Sequence, residues 1–250
     1  MAATISADAT QALWSNWMQY VSMDLSGFQN GNLLILFVGG RSTLNNSWSA
    51  PSGTYTGTWT MLPGFPLTAE YSGVTTITTG QYVEDWEHYV AAWWKIKVSG
   101  DATVNFNDNE TWTKTIYIGS WSGVDPTTPY TSTALKLDAN WDNIISNPAI
   151  TTTKANQWIV LLQTSRYGSP YTVATYPSGY TSRPIGTANT VEMQVADSGP
   201  LSAGTYTPSD WIFTSGQANK GSVYALALNP SGATTSIVPQ CYIHYAGMAV

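Results

Sequence analysis

Asp85 and Glu87 are the first residues whose spacing suggests chemistry, two apart in the run EDWEH at residues 84–88. On a strand, side chains two apart project from the same face, about 6.6 Å from each other. That suits the two carboxyl groups of a glycoside hydrolase. Such a pair also needs one carboxyl in an apolar pocket, where its pKa is raised. Here the shared face continues into Tyr89, Lys95 and Lys97, read as the more exposed side, so a solvated strand face is expected and catalysis is not. His88 and His244 are the only histidines, and no spacing brings them together. GxSxG, GxGxxG, GxxxxGK[ST] and HExxH are all missing, so no nucleophile elbow, nucleotide loop or zincin helix is expected. Cys241 is alone, which leaves no intrachain disulfide and no thiolate metal site. The oxygen-rich run NFNDNETW at residues 105–112 has calcium-like composition without EF-hand spacing, and reads as a turn. The expectation is a protein with no enzymatic activity, no cofactor and no metal.

Other residues suggest binding. Trp48, Trp59 and Trp112 sit near turns and are candidates to stack on sugar rings, although most tryptophans of such a chain fill its core. Asp125, inside WSGVDPTTPY at residues 121–130, precedes a proline and has no base or second carboxylate assigned near it. It is expected to bond its own turn and serve as scaffold.

The elements that must position these residues are strands. The chain has 250 residues, only 10% of them charged, with 12 Trp and 15 Tyr. That aromatic content opposes disorder. The net charge is −6 and the 9 basic residues are scattered, so nucleic acid is not an expected partner. The longest apolar run, LLILFVGG from Leu33, is too short to span a bilayer, and the first residues lack the charged and apolar regions of a secretory signal. A soluble protein made without export is expected. Ten β-branched and aromatic runs, separated by Gly, Pro, Asn and Ser, predict an all-β antiparallel sandwich with very little helix. In VAAWWKIKV, Val90, Ala92, Trp94, Ile96 and Val98 share one face. WIVLL at residues 158–162 is apolar on both faces, as a central strand requires. Trp94, Ile96, Ile116, Ile118, Ile159, Leu161, Leu226 and Leu228 are the expected core. Short helices are expected only within residues 10–20, where Leu13, Trp17 and Tyr20 share a face, and within residues 138–146.

WSGVDPTTPY also resembles an element of a jelly-roll module that recurs in structural proteins of tailed bacteriophages. Further elements follow in order: NGNLLILFVGG from Asn30, SAPSGTYTGTWTML from Ser49, HYVAAWWKIKV from His88 and NPAITTTKANQWIVLL from Asn147. YPSGYTSRP from Tyr176 and GTYTPSDWIFTSGQANKGSVYALALNP from Gly204 complete the series, which spans roughly residues 20–232. The resemblance implies a jelly roll attached to head, tail or fibre, and some such modules bind carbohydrate. No catalytic residue is implied.

The expected organisation is an N-terminal arm or short helix over residues 1–20, the jelly roll over 21–232, and a C-terminal strand extension over 233–250. Because the module stands almost alone, without the anchoring region that often precedes it in the family, a head decoration (cement) protein on the virion surface is expected, assembled in the bacterial cytoplasm, which fits the unpaired cysteine. Its partners would be copies of itself, as a trimer, and the major capsid or other virion proteins. The alternative is a tail or fibre adsorption protein that recognises host surface glycan. Module and ends together predict attachment through Leu13, Trp14, Trp17, Tyr20, Ile237, Cys241, Ile243 and Tyr245, apolar residues outside the resembling sandwich.

Overall fold

A computed structural model describes residues 4–15, 20–40, 51–65, 67–69, 77–79, 88–107, 114–166, 173–183, 191–214 and 219–232. The first part of the chain forms β1 (Ser6–Ser15), β2 (Tyr20–Asp24), β3 (Leu33–Gly40), β4 (Thr60–Met61), β5 (Leu67–Ala69), β6 (Ile77–Thr79), β7 (His88–Ile96), β8 (Thr103–Asn107) and β9 (Lys114–Ser122). Then come β10 (Tyr130–Asp142), β11 (Ile144–Ile145), β12 (Ile150–Thr152), β13 (Trp158–Arg166), β14 (Val173–Thr175) and β15 (Tyr180–Arg183). The last are β16 (Val191–Ser198), β17 (Gly204–Tyr206), β18 (Trp211–Phe213) and β19 (Asn219–Leu228). Seven strands make the larger sheet, in the order β1-β9-β3-β7-β5-β6 with β4 also on β7. Five make the smaller one, β10-β19-β13-β16-β15. The larger sheet is thus built from the amino-terminal half and the smaller from the carboxy-terminal half.

The antiparallel sandwich is as the strand periodicity predicts. Its main core lies between the sheets, where Leu33, Ile35 and Phe37 of β3 share a cluster with Val160 and Leu162 of β13, and with Leu226 and Leu228 of β19. Both sheets are covered on their outer faces as well. Leu34, Leu36 and Val38 turn the other way, into a cluster closed by the β2–β8 pair and Trp59. Ile159, Leu161 and Ala225 do the same beneath the β11-β18-β14 sheet and its Trp211. Double coverage explains the unbroken apolar runs in β3 and β13, since strands buried on both faces lose their alternation.

Three expectations change. Residues 10–15, read as helix, belong to β1, and Leu13 pairs with Ile116 across the ladder to β9. Residues 138–146 likewise lie in β10, a short turn and β11. In both segments pairing with a neighbouring strand overrides a weak local helical pattern. Lys95 and Lys97 are buried, not solvated: Lys95 lies under the Tyr55 and Trp59 rings and donates to the Thr56 carbonyl, and Lys97 donates to the Val98 carbonyl. Of the expected core, Ile116, Ile118, Ile159, Leu161, Leu226 and Leu228 are buried, while Trp94 and Ile96 are only partly so.

β1 forms an edge of the larger sheet. A bulge interrupts its register between Ala7 and Ala9, so Ala7 packs on the central core and Ala9 on the outer cluster. Asp8 at the bulge accepts hydrogen bonds from the Asn32 side-chain amide at 2.8 Å and the Ser122 hydroxyl at 3.0 Å. Just beyond Ser122, Gly123 has φ +69, and a Cβ there would come within 2.3 Å of the Thr4 carbonyl oxygen. Backbone cannot yield as a flexible side chain can. Gly123→Ala is therefore expected to cost about 1–3 kcal/mol, read as a lower urea midpoint with an unchanged slope.

Candidate functional site

Asp125 is a turn residue. Its carboxylate accepts from the Thr127 and Thr128 backbone N–H groups at 2.8 and 3.2 Å, and from the Thr128 hydroxyl at 3.0 Å. These bonds, those from the backbone first, hold its pKa below the ordinary carboxylate value. The same stretch interlocks with two distant ones. Val124 bridges Pro230, the Asp125 N–H donates to the Asn229 carbonyl, and the Asn229 N–H donates to the Pro129 carbonyl. Beneath them Gln157 and Asn229 are fully buried. The Gln157 amide donates to Asn229 Oδ1 at 2.7 Å and Thr131 Oγ1 at 2.6 Å, while its oxygen accepts from the Thr153 and Lys154 N–H groups. Asn229 donates in turn to the Thr128 carbonyl at 2.6 Å. Every side-chain polar atom of the pair is engaged, as a buried network requires.

Two ion pairs, one buried and one part-buried, have the same structural character. Lys95 Nζ lies 2.6 Å from Asp101 Oδ2, donates to the Thr56 carbonyl, and stands 5.0 Å from the Tyr55 ring centroid. Arg183 grips Asp197 with two bonds of 2.9 Å, and Trp121 Nε1 reaches the same carboxylate at 3.2 Å from the opposite sheet.

Of the sugar-stacking candidates, Trp59 is buried, edge-on to Tyr55 at 6.4 Å, and cannot present a face to a glycan. Trp48 and Trp112 lie outside the described residues, as do Trp17, Ile237, Cys241, Ile243, Tyr245, Asp85 and Glu87. Leu13 and Trp14 take their places in edge strand β1, and Tyr20 is 52% exposed. No three His, Cys, Asp or Glu side chains among the described residues come together as a metal site would need. No helix among them is long and apolar enough to cross a membrane.

An open cleft of about 370 Å³ lies elsewhere, where β15 meets the loops around β17. One wall is the turn before β15. Tyr180 N–H donates to the Pro177 carbonyl at 3.1 Å and Gly179 takes φ +81, the conformation that a glycine in the third position of a type II turn supplies. The facing wall is Tyr206 with residues 207–209, and the floor includes Ser198 and Leu201. The walls are tied together. The Ser178 N–H donates to Ser209 Oγ at 2.7 Å, and Asn147 donates to the Ser209 carbonyl at 2.6 Å while accepting from Trp211 Nε1. Tyr206 donates its hydroxyl to the Ser202 carbonyl. Burial pushes the Tyr180 phenol pKa up, and Tyr206 nearby adds to the shift, so the group stays protonated and able to donate. Periodicity could not reveal this cleft, because its walls come from separate segments that meet through the β15–β16 pairing, the loop after it and the Ser178–Ser209 bond.

No family model matches the chain, and no curated protein or solved structure matches it either.

Proposed function

We propose that this chain is a non-enzymatic structural protein of a tailed-bacteriophage virion, a decoration or cement protein on the outer surface of the head. One observation carries the reading. The described parts of the sequence elements that resemble the phage module fall on the strands and turns of one sandwich, and WSGVDPTTPY, KANQW and the closing NP dock on each other around buried Gln157 and Asn229. A chance scatter of similar words would not be expected to converge on one buried pair. The use of charge supports the same reading, because Asp8, Asp101, Asp125 and Asp197 all serve scaffold bonds. In this proposal the protein acts as a symmetric homo-oligomer, a trimer, bound to the major capsid protein or its neighbours. It makes contact through exposed Tyr20 and through residues 233–250.

The test is to band particles from cells producing this protein on a density gradient and quantify their proteins by mass spectrometry. The expected result is co-migration with complete particles in many copies, a simple multiple of three per capsomer or vertex. Its absence from purified particles would overturn the proposal.

A further inference from the structure

We propose that the cleft between Tyr180 and Tyr206 binds a neutral saccharide residue. The argument is independent of the virion reading and rests on what lines the cleft. No Asp, Glu, Lys, Arg or His is among its nine lining residues, so it offers nothing to balance a ligand charge. A phosphate, a carboxylate sugar or a cation would lose hydration there without a partner. The half-buried rings of Tyr180 and Tyr206, with Leu201, supply its apolar surface. Ser178, Thr207 and Ser209 supply hydroxyls around it. A ring with a C–H face and a rim of hydroxyls matches this alternation, whereas a purely apolar ligand would leave the hydroxyls at the wall unpaired. The volume of about 370 Å³ falls at the small end of ligand sites. Asn147 and the Ser178–Ser209 bond hold the walls in place before any ligand arrives, which lowers the ordering cost of binding.

The experiment is an amide NMR titration of the full chain with methyl glucoside, methyl galactoside and methyl N-acetylglucosaminide. Glucuronic acid and p-cresol are titrated in parallel. At least one neutral glycoside is expected to give saturable shifts at the amides of Gly179, Tyr206 and Thr207. Tyr180→Ala is expected to weaken that binding at least about ten-fold. Thr207→Arg, at an exposed position of the wall, should do the same by filling the cleft while leaving the unfolding midpoint unchanged. Particle association of Thr207→Arg should also be unchanged, so failure here and failure of the virion proposal are read separately. The proposal is overturned if no neutral glycoside binds, if only the acid or the cresol binds, or if binding survives Thr207→Arg.

Discussion

Replacing Asp101 by alanine is expected to cost about 3 kcal/mol of folding stability. The side chains of Lys95 and Asp101 are 3% and 0% exposed. Removing the carboxylate therefore strands an ammonium in a covered layer, at a cost in the range of a broken buried pair. The lower end applies, because the Thr56 carbonyl still accepts from Lys95 Nζ and the Tyr55 and Trp59 rings still face it at 5.0 and 5.9 Å. Removing both charges, as Lys95→Met with Asp101→Leu, should recover most of the loss, since no uncompensated ion remains. Acid adds a second signature. Burial of Asp101 opposes its ionisation, but hydrogen bonds from Lys95 and from the Val98 and Thr56 N–H groups outweigh it and hold the pKa below its ordinary value. A depressed folded pKa contributes stability that is fully present above the unfolded value, near 3.9, and is lost as pH falls through the lower folded value. Urea titrations should show the gap between wild type and Asp101→Ala narrowing across that acid window. A constant gap would mean the ion pair is not its source.

Asp197→Ala is expected to cost about 2–3 kcal/mol, below the range of a fully buried pair because the Arg183 side chain is 24% exposed and can recover water. Asp197 is 1% exposed and joins the two sheets, taking Arg183 from β15 and Trp121 from β9. Its loss leaves the Trp121 N–H buried without an acceptor, and Arg183 without its bidentate partner. Tyr117 provides the control. Its hydroxyl is buried with no hydrogen-bond partner, and burial together with the Asp197 charge pushes its pKa well above the ordinary phenol range. Tyr117→Phe removes an unsatisfied group at nearly constant shape, so it should leave stability equal or raised. Equal loss in the two variants would show that packing, not the carboxylate, holds the sheets together.

Much of the fold was legible because its signals are local. Turn residues and strand runs mark the sandwich, WIVLL announces a central strand, and Asp125 before Pro126 announces its own turn. Most of the misread features depend on partners remote in sequence. Residues 10–15 carry an ambiguous pattern that only the edge of β9 resolves. Lys95 looked solvated because nothing near it in β7 shows that Tyr55 and Trp59 will cover it, although Asp101, its ion-pair partner, follows only six residues later. Trp59 looked exposed for the same reason. The cleft was not legible as a site, since Tyr180 and Tyr206 stand far apart in the chain and sit among ordinary turn residues.

The most direct test of the virion reading is an electron cryomicroscopy map of intact particles at a resolution that separates strands. The expected result is density for this two-sheet sandwich on the outside of the head, repeated with the symmetry of the capsid and contacting it through Tyr20 and the carboxy-terminal residues. Particles whose density is fully explained by other chains would contradict the account.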